Sequence, residues 1–115
     1  GSCIRDYIDV VDLAKAHVIA VERMLEDKSD EKVEIFNLGT GNGMSVLGLI
    51  NAFEKATGVK VPHKIAPRRA GDIEKVWANP ERANNVLGWT ASTPIEETLR
   101  NAWTWQCKLR ERGIM

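Results

Sequence analysis

The sequence predicts an α/β chain. Apolar residues recur at helical spacing around Leu13–Leu25, Val46–Phe53 and Leu99–Leu109, short β-branched runs lie between the first two and after the second, and glycine or proline marks nearly every changeover. With 115 residues, 43% of them hydrophobic, the chain has the size of one domain or a piece of one. A compact chain of that length buries roughly two thirds of its unfolded surface.

Taken in order, Tyr7, Ile8 and Val10 form a short extended stretch, after which Asp12 is placed to cap a helix. Its apolar residues Leu13, Ala16, Val18, Ala20, Val21, Met24 and Leu25 predict a largely buried element. The charged run from Asp27 through Asp30 to Lys32 reads as a solvated loop. Val33 to Leu38 reads as a strand, and Gly39-Thr40-Gly41-Asn42-Gly43 as a turn. Ser45 caps the next helix, whose stripe is Val46, Leu47, Leu49, Ile50 and Phe53 and whose end is Gly58. Val61 to Ala66 reads as a second strand closed by Pro67. Asn79-Pro80 opens a short helix stopped by Gly88, since proline's missing N–H costs nothing at the first helical position. Thr93-Pro94-Ile95-Glu96 has the spacing of a capping box for a final helix carrying Leu99, Ala102, Trp103, Gln106 and Leu109. No internal repeat or low-complexity segment occurs.

Sixteen basic and sixteen acidic residues leave a formal net charge of zero. That balance gives no general attraction for nucleic acid or for an anionic membrane, so any anion site must be local. Cys3 and Cys107 lie far apart in sequence and form no C-x-x-C pair, which argues against a disulfide framework or a zinc site and for a reducing, cytoplasmic compartment. No apolar run has the length of a membrane span. The chain starts without methionine and without the basic-then-apolar pattern of a secretion signal, and is expected to continue from an upstream portion.

Two arginine sites carry the most chemical information: Arg5-Asp6-Tyr7 and Arg68-Arg69-Ala70-Gly71-Asp72. A guanidinium offers a planar fork of donors that matches phosphate oxygens two at a time and stays charged at any relevant pH. Two such sites beside acidic or aromatic residues suit a nucleotide diphosphate. No evident proton-transfer or hydride-transfer centre accompanies them, so the chain reads as the substrate-gripping part of a larger enzyme. The strand–glycine loop–helix around Gly39, Gly41 and Gly43 has the layout of a dinucleotide loop, but the third glycine of that fingerprint is due where Met44 stands, and no P-loop lysine follows. The loop reads as a tight turn that lets a ligand approach Val46. Trp89 and Trp103 read as core residues, and His17 and His63, with no nucleophile or second ligand nearby in sequence, as structural histidines.

Three stretches together carry a family resemblance. Arg5-Asp6-Tyr7-Ile8-x-Val10-x-Asp12-Leu13-Ala14, Asn37-Leu38-Gly39-x-Gly41-x-Gly43-x-Ser45-Val46-Leu47, and Arg68-Arg69-x-Gly71-Asp72 followed by Trp77-Ala78 and Leu87-Gly88-Trp89 closely resemble the C-terminal third of the UDP-glucose 4-epimerases. The resemblance runs along almost the whole chain. Nucleotide-sugar dehydratases and decarboxylases share versions of the first two stretches; the double arginine with Gly-Asp and the later Trp-Ala separate the epimerases from them.

The resemblance implies the C-terminal portion of an extended short-chain dehydrogenase/reductase: residues 1–115 would be the UDP-sugar-binding portion, with substrate-domain segments plus an edge strand of the Rossmann sheet from Val33 to Leu38. It implies NAD held by an N-terminal Rossmann domain absent from this chain, and a sugar C4 hydroxyl oxidised and reduced again. The Tyr-x-x-x-Lys pair of that family is not in the chain, because four positions after Tyr7, the only tyrosine, stands Val11; the chain alone is expected to be inactive. By the same resemblance Arg5 and Arg69 would contact the diphosphate, Tyr7 and Val46 would line the nucleotide pocket, and Asp72 would accept a ribose hydroxyl. The partner is then a UDP-sugar, with no nucleic acid and no membrane, in a protein expected to be a homodimer. A related decarboxylase or dehydratase, or a non-catalytic binding module, remain the alternatives. Asp9 and Asn79 depart from the family's usual histidine and aspartate. Asp9 brings a negative charge toward an anion site, whereas Asn79 caps as well as aspartate. Separated from its upstream partner, the piece is expected to be marginally stable or to self-associate.

Overall fold

The computed structural model of the chain describes residues 3–29 and 31–113; Gly1, Ser2, Asp30, Ile114 and Met115 lie outside them. The elements are strand β1 (Ile4–Arg5), helix α1 (Val10–Leu25), strand β2 (Met44–Ser45), helix α2 (Val46–Thr57), a π-helical turn (Ala83–Leu87) and helix α3 (Ile95–Glu111). Among the described residues helices thus dominate, and a two-stranded sheet pairs β1 antiparallel to β2, with Ile4 opposite Ser45 and Arg5 opposite Met44.

Helix α1 begins earlier than its sequence pattern predicts. Val10 is its first residue rather than part of an extended run, and the strand lies upstream at Ile4–Arg5. The cap is Asp9 instead of Asp12: its Oδ1 accepts from the Val11 N–H at 2.8 Å, and its Oδ2 accepts from the Thr98 hydroxyl at 2.9 Å. Asp12 sits in the first turn, 2% exposed, where its carboxylate takes the Thr93 N–H at 3.0 Å and its backbone carbonyl takes the Trp89 indole N–H at 2.8 Å. The predicted capping box of α3 is therefore not made. Pro94 precedes the helix without a side-chain cap, and Thr93 is turned toward α1.

Ala16, Ala83 and Trp89 form the buried core, with Ile8, Phe36, Leu38 and Leu87 packed around it. The turn above them starts where Asn79-Pro80 predicts. Asn79 Oδ1 accepts from the Glu81 N–H, the wider π turn follows, and left-handed Gly88 (φ 65°) ends it. Helix α2 also matches its sequence signals: Ser45 Oγ accepts from the Gly48 N–H at 3.0 Å, and Gly58 closes it at φ 74°. It packs against α3, with Phe53 and Trp103 edge to face at 5.6 Å.

Three expectations fail for one reason. Val33 to Leu38 and Val61 to Ala66 form no strands, and α1 is not largely buried: Val18, Val21, Met24 and Leu25 are 50–80% exposed, as Val33 and Ile35 are above 70%. A strand exists through its neighbours' hydrogen bonds, and an apolar helix face is buried only against a second surface. The described residues supply neither. Consistent with that, the radius of gyration is 17.4 Å, against about 13 Å for a compact chain of 100 residues.

Candidate functional site

Strand β1 is the spine of the site. On one side it pairs with β2, and the Val46 N–H donates to the Cys3 carbonyl at 3.2 Å. On the other side the Ile4 N–H donates to the Glu74 carbonyl at 2.8 Å and the Val76 N–H to the Ile4 carbonyl at 3.0 Å, with Ile4 and Lys75 bridged in parallel. The start of α2 and the segment following Arg69 and Asp72 are thereby docked on opposite edges of the two residues that carry Arg5.

The consequence is a cavity of about 570 Å³ lined by all five residues singled out in the sequence: Arg5, Tyr7, Val46, Arg69 and Asp72. Cys3, Leu47, Ile50, Lys64 and Arg68 complete much of the wall. Neither Leu47 nor Ile50 was assigned to a site by sequence, where they read only as helix stripe. In a chain of zero net charge, Arg5, Lys64, Arg68 and Arg69 face this space with Asp72 as the sole carboxylate among the lining residues. Tyr7, Val46, Leu47 and Ile50 supply apolar surface beside that charge, the combination a nucleotide needs.

Arg69 and Asp72 hold each other in a fork, Nε to Oδ2 at 3.0 Å and Nη2 to Oδ1 at 3.3 Å. The hydrogen bonds from Arg69 keep the Asp72 carboxyl below the usual carboxylate range, with Arg5 adding to the effect, and the same contact raises Arg69. One Arg5 Nη donates to the carbonyl of Ile4 at 2.8 Å. Asp9, whose charge sequence reasoning places near the anion site, does not line the cavity; it is buried between α1 and Thr98.

Asp6, between two lining residues, is turned away from the cavity walls and into the glycine loop. Its carboxylate accepts from the Thr40 N–H at 3.0 Å, the Thr40 hydroxyl at 2.6 Å, the Gly41 N–H at 3.1 Å and the Ala78 N–H at 3.3 Å. Burial raises its pKa, but the bonds from Thr40, Gly41 and Ala78 outweigh it and bring the group below 3.8. The fit leaves no room at Gly39, where a Cβ would lie 2.5 Å from Asp6 Oδ2 and 2.8 Å from Ala78 Cβ. The loop's N–H groups at 40 and 41 thus serve a carboxylate of the chain itself.

A second hollow of about 430 Å³, beside α1, is lined by Arg23 and Glu34, which pair at 2.8 Å. His17 and His63 donate from Nδ1 to the Leu13 and Val61 carbonyls at 2.8 and 2.9 Å. Among the described residues, no cluster of His, Cys, Asp and Glu could hold a metal ion, and no helix is long and apolar enough to cross a membrane.

Comparison with known proteins places the chain. The family model described as GDP-mannose 4,6 dehydratase matches residues 1–102, and the chain belongs to that family as a C-terminal portion of an extended short-chain dehydrogenase/reductase. Within it, the chain is 46% identical over 110 residues to the bifunctional UDP-glucose 4-epimerase and UDP-xylose 4-epimerase 3 of Arabidopsis thaliana, and 45% identical over 106 residues to the UDP-glucose 4-epimerase of Homo sapiens. These alignments cover 94% and 92% of the chain, which spans about 30% of the length of either relative. The crystal structure of a Stenotrophomonas maltophila UDP-glucose 4-epimerase with bound NAD and formylated UDP-arabinopyranose superimposes with a TM-score of 0.90 at 42% identity, over 96% of this chain and 32% of that one. The Bifidobacterium longum enzyme in complex with NAD+ and UDP gives 0.84 at 44% identity, over 93% and 31%.

Proposed function

We propose that the chain supplies the UDP-gripping portion of an NAD-dependent UDP-hexose 4-epimerase. The observation that carries this reading is the convergence of Arg5, Tyr7, Val46, Arg69 and Asp72 on one cavity from segments up to 67 residues apart. In it Arg5 and Arg69 bind the diphosphate oxygens through charge-assisted hydrogen bonds, Asp72 accepts from a ribose hydroxyl, and Tyr7 and Val46 wall the nucleoside. Relatives that bind UDP or a UDP-sugar share the fold and 42–44% of the residues.

The chain's own residues do not fit a dinucleotide cofactor. The loop N–H groups that would have to meet a pyrophosphate are taken by Asp6, and a Cβ already has no space at Gly39. NAD, and the Tyr-x-x-x-Lys chemistry at the sugar, therefore belong to the portion of the protein upstream of this chain. The whole protein is taken as a cytoplasmic homodimer, and this piece by itself as inactive.

Replacing Arg69 by alanine in the whole protein tests the assignment. One or two charge-assisted hydrogen bonds to phosphate disappear, and calorimetric UDP affinity is expected to fall roughly ten- to hundred-fold. An unchanged affinity would remove Arg69 from the grip and leave the reading without its main support.

A further inference from the structure

We infer that Asp6 is the positioning residue of this pocket: touching no ligand, its carboxylate sets the separation of the two arginine sites. The inference rests on the UDP reading and adds to it the part that fixes the geometry of the grip.

Phosphate recognition by two guanidinium groups works only while their spacing matches the ligand, and a misplacement of about 1 Å can cost a hundred-fold. Here the spacing is not set by the arginines. Arg69 donates to Asp72 and Arg5 to its neighbour's carbonyl, so the hydrogen bonds of each, among the described residues, stay within its own stretch of chain. What joins the stretches is β1 with its two flanking segments, and β1 has just two residues. A ladder that short constrains little by itself.

Asp6 adds the missing ties immediately beside Arg5. Through Thr40 and Gly41 it holds the glycine loop that leads into β2 and Val46. Through Ala78 it holds the segment that follows Asp72 and runs alongside β1 from Glu74 to Val76. One side chain beside Arg5 therefore ties down two segments that lead into the other cavity walls, at partners 34, 35 and 72 positions away in sequence. A neutral amide at this position keeps one acceptor oxygen and turns an NH2 donor toward N–H groups that are donors themselves. Asp6→Asn thus breaks the ties without changing side-chain size.

The test compares Asp6→Asn, Thr40→Val and Arg69→Ala in the whole protein, with UDP dissociation constant, KM, kcat, retained NAD and melting temperature read for each. Thr40→Val removes the 2.6 Å hydroxyl bond to Asp6 together with the hydroxyl's 3.1 Å contacts to the Asn42 backbone, and nearly preserves volume, so it provides a folded variant if Asp6→Asn does not fold. The expected result is a UDP dissociation constant and KM raised roughly ten-fold in Asp6→Asn and about three-fold in Thr40→Val, with kcat and NAD content near wild type. A residue that merely supports the fold would instead lower NAD content and kcat together with the melting temperature. UDP affinity within two-fold of wild type in whichever of these variants folds overturns the inference. If Arg69→Ala weakens UDP while they do not, only the positioning role falls; if Arg69→Ala is also silent, the UDP reading falls with it.

Discussion

At the residue scale, two aspartates show how identical chemistry is assigned by partners that lie far off in sequence. Asp9 and Asp12 both satisfy the local rule for a helix cap, and only the first turn of α3 and the residues just before it decide between them. Thr98 fixes Asp9 at the helix start, while Thr93 draws Asp12 inward. Asp6 gives the pH prediction. Its folded-state pKa lies below the ordinary 3.8, so its contribution to stability is complete above that value and is lost as pH falls through the lower, folded one. The melting-temperature gap between wild type and Asp6→Asn, measured in the whole protein from about pH 6 to 3, should accordingly be widest at the upper end and narrow in acid. A gap that widens on acidification would contradict the sign. The two arginine sites were legible from their side-chain chemistry, whereas the places of Tyr7, Val46 and Asp72 came from the family resemblance; all five line one cavity. Asp6 was not legible as a tie, since nothing adjacent to it in sequence hints at Thr40 or Ala78.

At the element scale, helices announced by their own caps and stops were readable, whereas elements completed by a neighbour were not. Ser45 and Gly58 bracket α2 and need nothing else. Val33 to Leu38 carries the composition of a strand, but composition cannot supply the adjacent backbone that makes one. Helix α1 lies between these cases: its period was legible, yet its first residue depended on which aspartate α3 selected. Asp9→Ala should therefore cost more than an isolated cap, which is worth about 1 kcal/mol, because the half-buried Thr98 hydroxyl also loses its acceptor. Denaturant unfolding checks this, and Thr98→Val separates the two contributions. A loss equal to the sum of the single effects would mean that cap and hydroxyl act independently.

At the scale of the whole molecule, a core of Ala16, Ala83 and Trp89 is small for this length, and the apolar residues that would have enlarged it face outward on α1 and around Val33 and Ile35. Those surfaces correspond to a fold in which this portion spans about 30% of its relatives. Prepared by itself, the chain is expected to bind a hydrophobic dye and to change sedimentation coefficient with concentration; a sharp melting transition of a monomer, independent of concentration, would refute this. The way β1 is held has another outcome. Ile4 bonds to Glu74 and Val76, and Asp6 to Ala78, so β1 cannot gain that edge until the later segment through Ala78 has been synthesised. During translation the pocket is therefore closed late, and a nascent chain arrested before His63 carries both Arg5 and Val46 without the opposite wall.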